Sequence, residues 1–379
     1  MIYFDNAATS YPKPPEVFRA IYKTMTERGG NPGRSSHALS LAAAKAVYAC
    51  REAIAEHFGG NPENIVFTYN ATYALNLAIK AVASRYGRVL ISDIEHNAVY
   101  RPVTALTRTG IGCDIFHVSE NPAETYRSFC ENLRPDTKIA AVNLASNVCG
   151  LSVPAEMIGK KCRESGTVFI ADASQCAGSR RIDIEKSCID ILCAPGHKGL
   201  YGPQGCGFAL FGSAYSGENA AKLKTFVEGG SGTASLERTM PAYLPERFEA
   251  GTVSTPAIAG LSAGLNCVNR FGVEEIAAHE KALFMRAKDM ISQFGGIKIY
   301  APESQGSTLL FNIDGIEPSE VAEVFDGAEI CVRAGFHCAP LPHSMLKTGK
   351  SGAVRVSFGI YNRSTDLESF YRTLRRLTK

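Results

Sequence analysis

The chain has 379 residues, of which 45% are hydrophobic and 20% charged, and its formal net charge is +3. That length calls for two domains with ample apolar surface to bury, and the composition excludes disordered, collagenous and low-complexity classes. Lys and Arg are dispersed, so no basic stripe invites nucleic acid, and no apolar stretch approaches the ~20 residues that span a bilayer.

The start, Met1-Ile2-Tyr3-Phe4-Asp5, shows no basic-then-apolar leader. From about residue 14 to 250, helical patterns alternate with short β-rich runs at 65–68, 89–92, 139–142, 168–170 and 189–192. Continuous apolar runs of that length suit strands covered on both faces, as in a mostly parallel sheet. Between them lie helical stripes such as Ala71, Ala74, Leu75, Ala78, Ile79 and Val82. The pattern predicts an α/β fold with a mostly parallel central sheet flanked by helices.

Near Pro256 the texture changes. A helix over 258–271 leads into a second with the stripe Ile276, Leu283, Phe284, Ala287, Met290, Ile291 and Phe294. Short strands are expected at 298–300, 308–312, 330–333 and 354–357, a helix after Glu317-Pro318-Ser319, and a closing helix from Thr365-Asp366. The expected division is a large domain over 14–255 and a smaller α+β domain from 1–13 and 256–379. Arg372, Arg375, Arg376 and Lys379 at the end suit the dipole of a last helical turn.

Twelve cysteines are scattered without CxxC pairs or His partners at zinc-like spacing. They read as reduced side chains of a cytoplasmic protein with no metal site.

The chemistry lies in a few segments. Val168-Phe169-Ile170-Ala171 runs into Asp172-Ala173-Ser174-Gln175, and a second apolar run ends in Pro195-Gly196-His197-Lys198-Gly199. A Lys in a glycine turn is usually a solvated charge. Paired with a buried Asp at a neighbouring strand end, it becomes the arrangement that holds pyridoxal 5'-phosphate (PLP): the Lys amine bonds the aldehyde and the carboxylate keeps the pyridine nitrogen protonated. Asn70-Ala71-Thr72 opens a helix, where free N–H groups and the Thr72 hydroxyl make a phosphate cradle. His96 follows another strand end, placed to stack on a planar cofactor and move protons near neutrality. Cys338, in Arg333-Ala334-Gly335-Phe336-His337-Cys338-Ala339-Pro340, sits in a Gly/Pro-bounded loop beside a His and near an Arg, a setting that favours the nucleophilic thiolate. Arg355 in the next strand offers a fork for a substrate carboxylate.

In this order the motifs resemble the cysteine desulfurase and selenocysteine lyase family of class V, fold-type-I PLP enzymes. The resemblance runs from Asp5-Asn6-Ala7-Ala8 and Asn31-Pro32-Gly33-Arg34-Ser35-Ser36-His37 to Arg355-Val356-Ser357 and Tyr361-Asn362. It implies that Lys198 is the Schiff-base lysine, Asp172 the partner of the ring nitrogen, Gln175 the partner of the ring phenolate, and His96 the stacking group. Ala71, Thr72 and His197 would hold the phosphate, with Thr252 reaching in from the other subunit of a homodimer. Asn147, Arg355, Arg333 and His37 would bind the amino acid, L-cysteine or L-selenocysteine, and Cys338 would accept sulfur for delivery to an acceptor protein. The short loop around Cys338 looks like the type II subgroup. Departures are Pro195 where many relatives have Ser, Phe336 where many type II enzymes have a second His, and Ala71 in place of Thr. Rival readings are a selenocysteine lyase, another β-eliminating or transaminating enzyme, and an inert PLP-binding scaffold.

Overall fold

The structure is a computed structural model that describes residues 1–33 and 37–378. Arg34, Ser35 and Ser36 of the Asn31–His37 segment, and Lys379 of the basic end, lie outside the described residues. In chain order the elements are β1 (Ile2–Tyr3), α1 (Pro15–Glu27), α2 (Ala38–Phe58), β2 (Ile65–Thr68), α3 (Ala71–Val82), β3 (Arg88–Ser92), α4 (Asn97–Thr107), β4 (Gly112–Phe116), α5 (Pro122–Asn132), β5 (Thr137–Asn143), α6 (Ala155–Ser165), β6 (Val168–Asp172), β7 (Ile191–Pro195) and β8 (Gly207–Phe211). After a long connection come α7 (Thr255–Phe271), α8 (Val273–Ile291), β9 (Ile297–Tyr300), β10 (Thr308–Ile313), α9 (Pro318–Asp326), β11 (Ile330–Cys331), β12 (Arg333–Gly335), α10 (Pro340–Leu346), β13 (Ala353–Ser357) and α11 (Ser364–Leu377).

Seven strands form the large sheet in the order β2-β8-β7-β6-β5-β3-β4. All neighbours are parallel except β8, which runs antiparallel to both β7 and β2. The other six strands therefore point one way, and their carboxyl ends share one edge. Central strands such as β7 are buried at every residue, as their uninterrupted apolar sequences require. One core, with Phe58, Leu90, Phe169, Leu192 and Phe208, fills one face of the sheet. A second, with Leu75, Ile79, Ile91, Ile170 and Phe211, fills the other.

The later elements build a four-stranded antiparallel sheet, β12-β13-β10-β9, whose own core includes Phe284, Leu309, Phe311, Phe325 and Phe370. The strand expected over 330–333 is split. Ile330 and Cys331 pair in parallel with β1, whereas Arg333 begins β12 against β13. Val332, between the two pairings, is in neither strand, and the chain changes sheet there. Helix α7 sends Ile258, Leu261 and Leu265 into the core of the large sheet. Among the described residues no helix is long and apolar enough to cross a membrane.

Candidate active site

The shared carboxyl edge of the strands carries the chemistry, as open α/β sheets dictate. A cavity of about 220 Å³ is lined by Thr72, His96, Asn147, Asp172, His197 and Lys198, among others. They come from the ends of five strands: β2 delivers Ala71 and Thr72 on its following helix, β3 His96, β5 Asn147, β6 its last residue Asp172, and β7 both His197 and Lys198.

Asp172 closes β6 with 1% of its surface exposed, and its Oδ1 accepts from the Ser174 N–H at 2.9 Å. Burial pulls the Lys198 amine down to about 8, against the opposing pull of the Asp172 carboxylate. No hydrogen bond or ion pair among the described residues engages Lys198 Nζ. The turn beneath it is tight: a Cβ on Gly178 would overlap the Gly199 carbonyl oxygen, so only glycine lets these two loops touch.

His96 caps α4, its Nδ1 accepting from the Ala98 N–H at 3.0 Å, which leaves Nε2 as the N–H. Burial and the neighbouring Lys198 cation push this imidazole down to about 4, so it is neutral at pH 7. At the mouth of α3, Asn70 caps the Tyr73 N–H at 2.9 Å and the Ala74 N–H bonds the Asn70 carbonyl. The N–H groups of Ala71 and Thr72 remain the open donors of that helix start. His197 presents a buried Nδ1 without a partner among the described residues, while its carbonyl accepts from Lys13 Nζ at 2.6 Å and from the Ser10 N–H at 3.1 Å.

Gln175 lines the cavity, with its Nε2 donating to the Ala7 carbonyl at 3.1 Å. Asn147 donates to the His337 carbonyl at 2.9 Å and keeps a buried Oδ1 without a partner among the described residues. On its other side Lys198 faces a larger crevice of about 490 Å³ between the sheets, lined also by Arg180, Tyr201 and Glu280.

Arg355 is only 2% exposed, its Nη1 donating to the Asn147 carbonyl at 2.9 Å and its Nη2 to Asp5 Oδ1. Nε is buried with no partner among the described residues. Arg333, half in solvent, reaches the other Asp5 oxygen at 3.4 Å. Neither arginine lines the Lys198 cavity, although both charges act on the Lys198 amine.

The structure leaves two expected site residues elsewhere in this chain. His37 caps α2, its Nδ1 accepting from the Ser40 N–H at 3.3 Å. Thr252 lies 3.4 Å from Asn31 Nδ2 in a surface cleft. Cys338 also stands apart from the Lys198 cavity. It is the one exposed cysteine of the twelve, and it borders a groove with Tyr100, Arg101 and Arg108 of the α4 region. Its loop is nonetheless tied to the site, the Cys338 carbonyl accepting from the Asn97 N–H at 2.8 Å. His337 and Cys338 both adopt positive φ, 53° and 55°, which costs a non-glycine residue roughly 1 kcal/mol each and demands a compensating hold.

Three residues escape sequence reasoning. Asp5 stands in the quoted Asp5-Asn6-Ala7-Ala8 motif, but nothing local announces its arginines. Glu95, beside His96, is fully buried and pushed up by burial to about 8, its Oε1 accepting from the Asn143 N–H at 2.8 Å. His343 stacks on His337 with ring centroids 5.2 Å apart. Phe336, 45% exposed, meets His343 edge-on at 5.3 Å.

The aminotransferase class-V family model matches residues 2–370. A probable cysteine desulfurase of Methanothermobacter thermautotrophicus is 30% identical over 384 residues, covering 99% of this chain and 94% of that protein. One from Pyrococcus abyssi is 30% identical, covering 100% and 94%. Among solved structures, the apo cysteine desulfurase of Thermococcus onnurineus NA1 superposes with a TM-score of 0.89 at 28% identity, covering 100% of this chain and 94% of that one. The Escherichia coli cysteine desulfurase CsdA shares the fold, with a TM-score of 0.86 at 24% identity over 99% of this chain and 94% of its own. With its strand-end lysine and aspartate and a family match along nearly its whole length, the chain belongs to the class-V aminotransferase family, beside that family's cysteine desulfurases.

Proposed function

We propose that the protein is a PLP-dependent cysteine desulfurase that converts L-cysteine to L-alanine and takes the sulfur onto Cys338 as a persulfide. The observation that carries this reading is one chain offering a depressed-pKa lysine, unpartnered among the described residues, in one cavity with a buried aspartate, and an exposed cysteine on a loop bonded to the same cavity wall.

The residues present fit PLP. The buried His197 Nδ1, unpartnered among the described residues, and the open N–H groups of Ala71 and Thr72 ask for an anion, and Asp172 supplies the carboxylate a pyridinium needs. Lys198 would bond the aldehyde, Gln175 would serve the phenolate, and neutral His96 would lie over the ring. Thr252 is offered to the partner's phosphate across a homodimer, which accords with its place outside its own chain's cavity. Pro195 ends β7 in register with Gly207 and gives the cradle no N–H, leaving more of the phosphate to α3 and His197. When bound, PLP supplies an electron sink for negative charge at the substrate Cα.

Lys198 then acts as the base. An amine near 8 is partly neutral at physiological pH, so Nζ accepts the Cα proton. Asn147, which lines the cavity, would hold the amino acid by its polar end; Arg355 and Arg333 would join it by giving up their hold on Asp5, with His37 at the partner's side of a dimer. The Cys338 thiolate attacks the substrate sulfur, a new S–S bond forms, and the Cβ–S bonding pair stays on carbon. Protonation of that carbon, and return of the proton from Lys198 to Cα, would give alanine. Thiol plus cysteine become persulfide plus alanine, so no outside oxidant or reductant enters.

The two units, 14–255 and 1–13 with 256–379, would meet around Lys198, with α7 spanning the seam. A protein that collects the sulfur would dock over the exposed Cys338, and the enzyme would work in the cytoplasm. The experiment is an absorbance spectrum of the purified protein, then alanine quantification after L-cysteine and a reductant, for wild type and Cys338→Ala. A band near ~420 nm in both, with alanine from the wild type only, supports the reading. Alanine from both proteins at equal rates would sink the role of Cys338.

A further inference from the structure

Behind the Cys338 loop lies a buried polar chain that the proposed chemistry does not use. His337, 7% exposed, presents Nδ1 to Nε2 of His343, 3% exposed, at 3.0 Å. His343 Nδ1 lies 2.8 Å from the Thr348 hydroxyl, and the Thr348 carbonyl accepts from Asn312 Nδ2 of β10 at 3.2 Å. At the other end, His337 Nε2 faces the Arg333 carbonyl at 3.4 Å.

The proton count along this chain has one solution for neutral rings. A carbonyl only accepts, so His337 Nε2 carries the hydrogen and Nδ1 is the acceptor. His343 must then donate from Nε2 and accept at Nδ1, and the Thr348 hydroxyl must donate to it. Burial holds both rings well below the usual imidazole range, which keeps them neutral. The Arg333 carbonyl thus sets the tautomer of every member, and the small sheet is linked through Thr348 and His343 to the residue preceding the nucleophile.

We propose that His343 is a positioning residue for Cys338, with Thr348 as its anchor: the relay holds His337 and Cys338 in the left-handed backbone that aims the thiol. Two further contacts fix the loop from the large sheet, His337 carbonyl to Asn147 and Cys338 carbonyl to the Asn97 N–H. The relay supplies the hold from the opposite side. His343 touches neither the Lys198 cavity nor the groove that Cys338 borders.

The inference rests on the desulfurase reading, and the test separates the two. Wild type, His343→Ala, His343→Gln and Thr348→Val are loaded with PLP and compared in two assays. Deuterium entry at Cα of L-alanine in heavy water reports the Lys198 site without any thiol attack. Alanine formed from L-cysteine in a single turnover reports Cys338. In His343→Ala, exchange is expected within about twofold of wild type while alanine formation falls about tenfold or more, since small misplacement of a reacting group is costly. His343→Gln, whose amide nitrogen donates where Nε2 did, is expected to recover most of the rate, and Thr348→Val to lose it by a few-fold. Iodoacetamide labelling of Cys338 in cofactor-free protein is expected to change rate in His343→Ala and return with Gln.

Wild-type alanine formation in His343→Ala overturns the inference, and so does a parallel loss of exchange and alanine formation. If His343→Ala does not fold, an undiminished rate in Thr348→Val overturns it alone. A wild type that exchanges deuterium but makes no alanine from cysteine refutes the desulfurase reading, and the inference with it.

Discussion

Asp5→Asn is the perturbation with the sharpest structural arithmetic. Asp5 accepts from two arginines of very different standing. Arg355 is 2% exposed and its remaining anchor is the neutral Asn147 carbonyl, whereas the Arg333 side chain is 48% exposed and 3.4 Å away. Removing one partner of a buried pair costs about 3–5 kcal/mol, because the other charge stays desolvated. Asp5 itself retains 16% exposure and Asn keeps one acceptor oxygen, so the expectation is reduced to about 2–3 kcal/mol. Arg333→Ala, which breaks only the exposed pair, should cost no more than about 1 kcal/mol. The assay is urea unfolding of both variants, reading the midpoint at unchanged slope, followed by the concentration dependence of alanine formation. Asp5→Asn should also raise KM for the amino acid more than it lowers kcat, since the Arg355 fork loses its orientation. Equal midpoint shifts in the two variants, or a larger one for Arg333→Ala, would refute the assignment of Asp5 to Arg355.

Three further outcomes are expected. Lys198 should be the lysine trapped when apo protein is treated with PLP and borohydride at pH 8, because its amine is held near 8; peptide mapping that finds the label spread over surface lysines would contradict this. Stability should fall on acidification from pH 6.5 towards 4. His96, His197 and His343 are held at about 4 in the folded chain against 6.5 unfolded, so between those values these three rings bind more protons unfolded; Glu95, held up at about 8, and Glu280, at about 7, oppose them as two groups against three. A urea midpoint that stays flat from pH 7 to about pH 4.5 would count against the buried neutral rings. Gly178→Ala should push the Lys198 turn away and weaken PLP binding by more than about tenfold, since its Cβ has no space beside Gly199; unchanged occupancy at limiting PLP would show the turn to be pliable.

What the sequence settled by itself is what short-range physics controls. Continuous apolar runs specified β2, β3, β5 and β6 within a residue or two, and Asn70 and His96 after β2 and β3, Asp172 at the end of β6 and Lys198 after β7 share one edge because parallel strands share a direction. The motif order carried the family without any distance being known. Tertiary structure alone decided the rest. The antiparallel insertion of β8, the split of 330–333 between two sheets, and the seating of α7 on the large core depend on which surfaces meet when the chain closes. Arg355 and Asp5, and His337 and His343, carry no local mark of their pairing, because an ion pair or a stacked ring is a contact in space and periodicity does not register it. The position of Cys338 is of the same kind: composition and loop chemistry marked it as a candidate nucleophile, but only the packing of its loop against Asn97 and Asn147 put it outside the lysine cavity and on the surface.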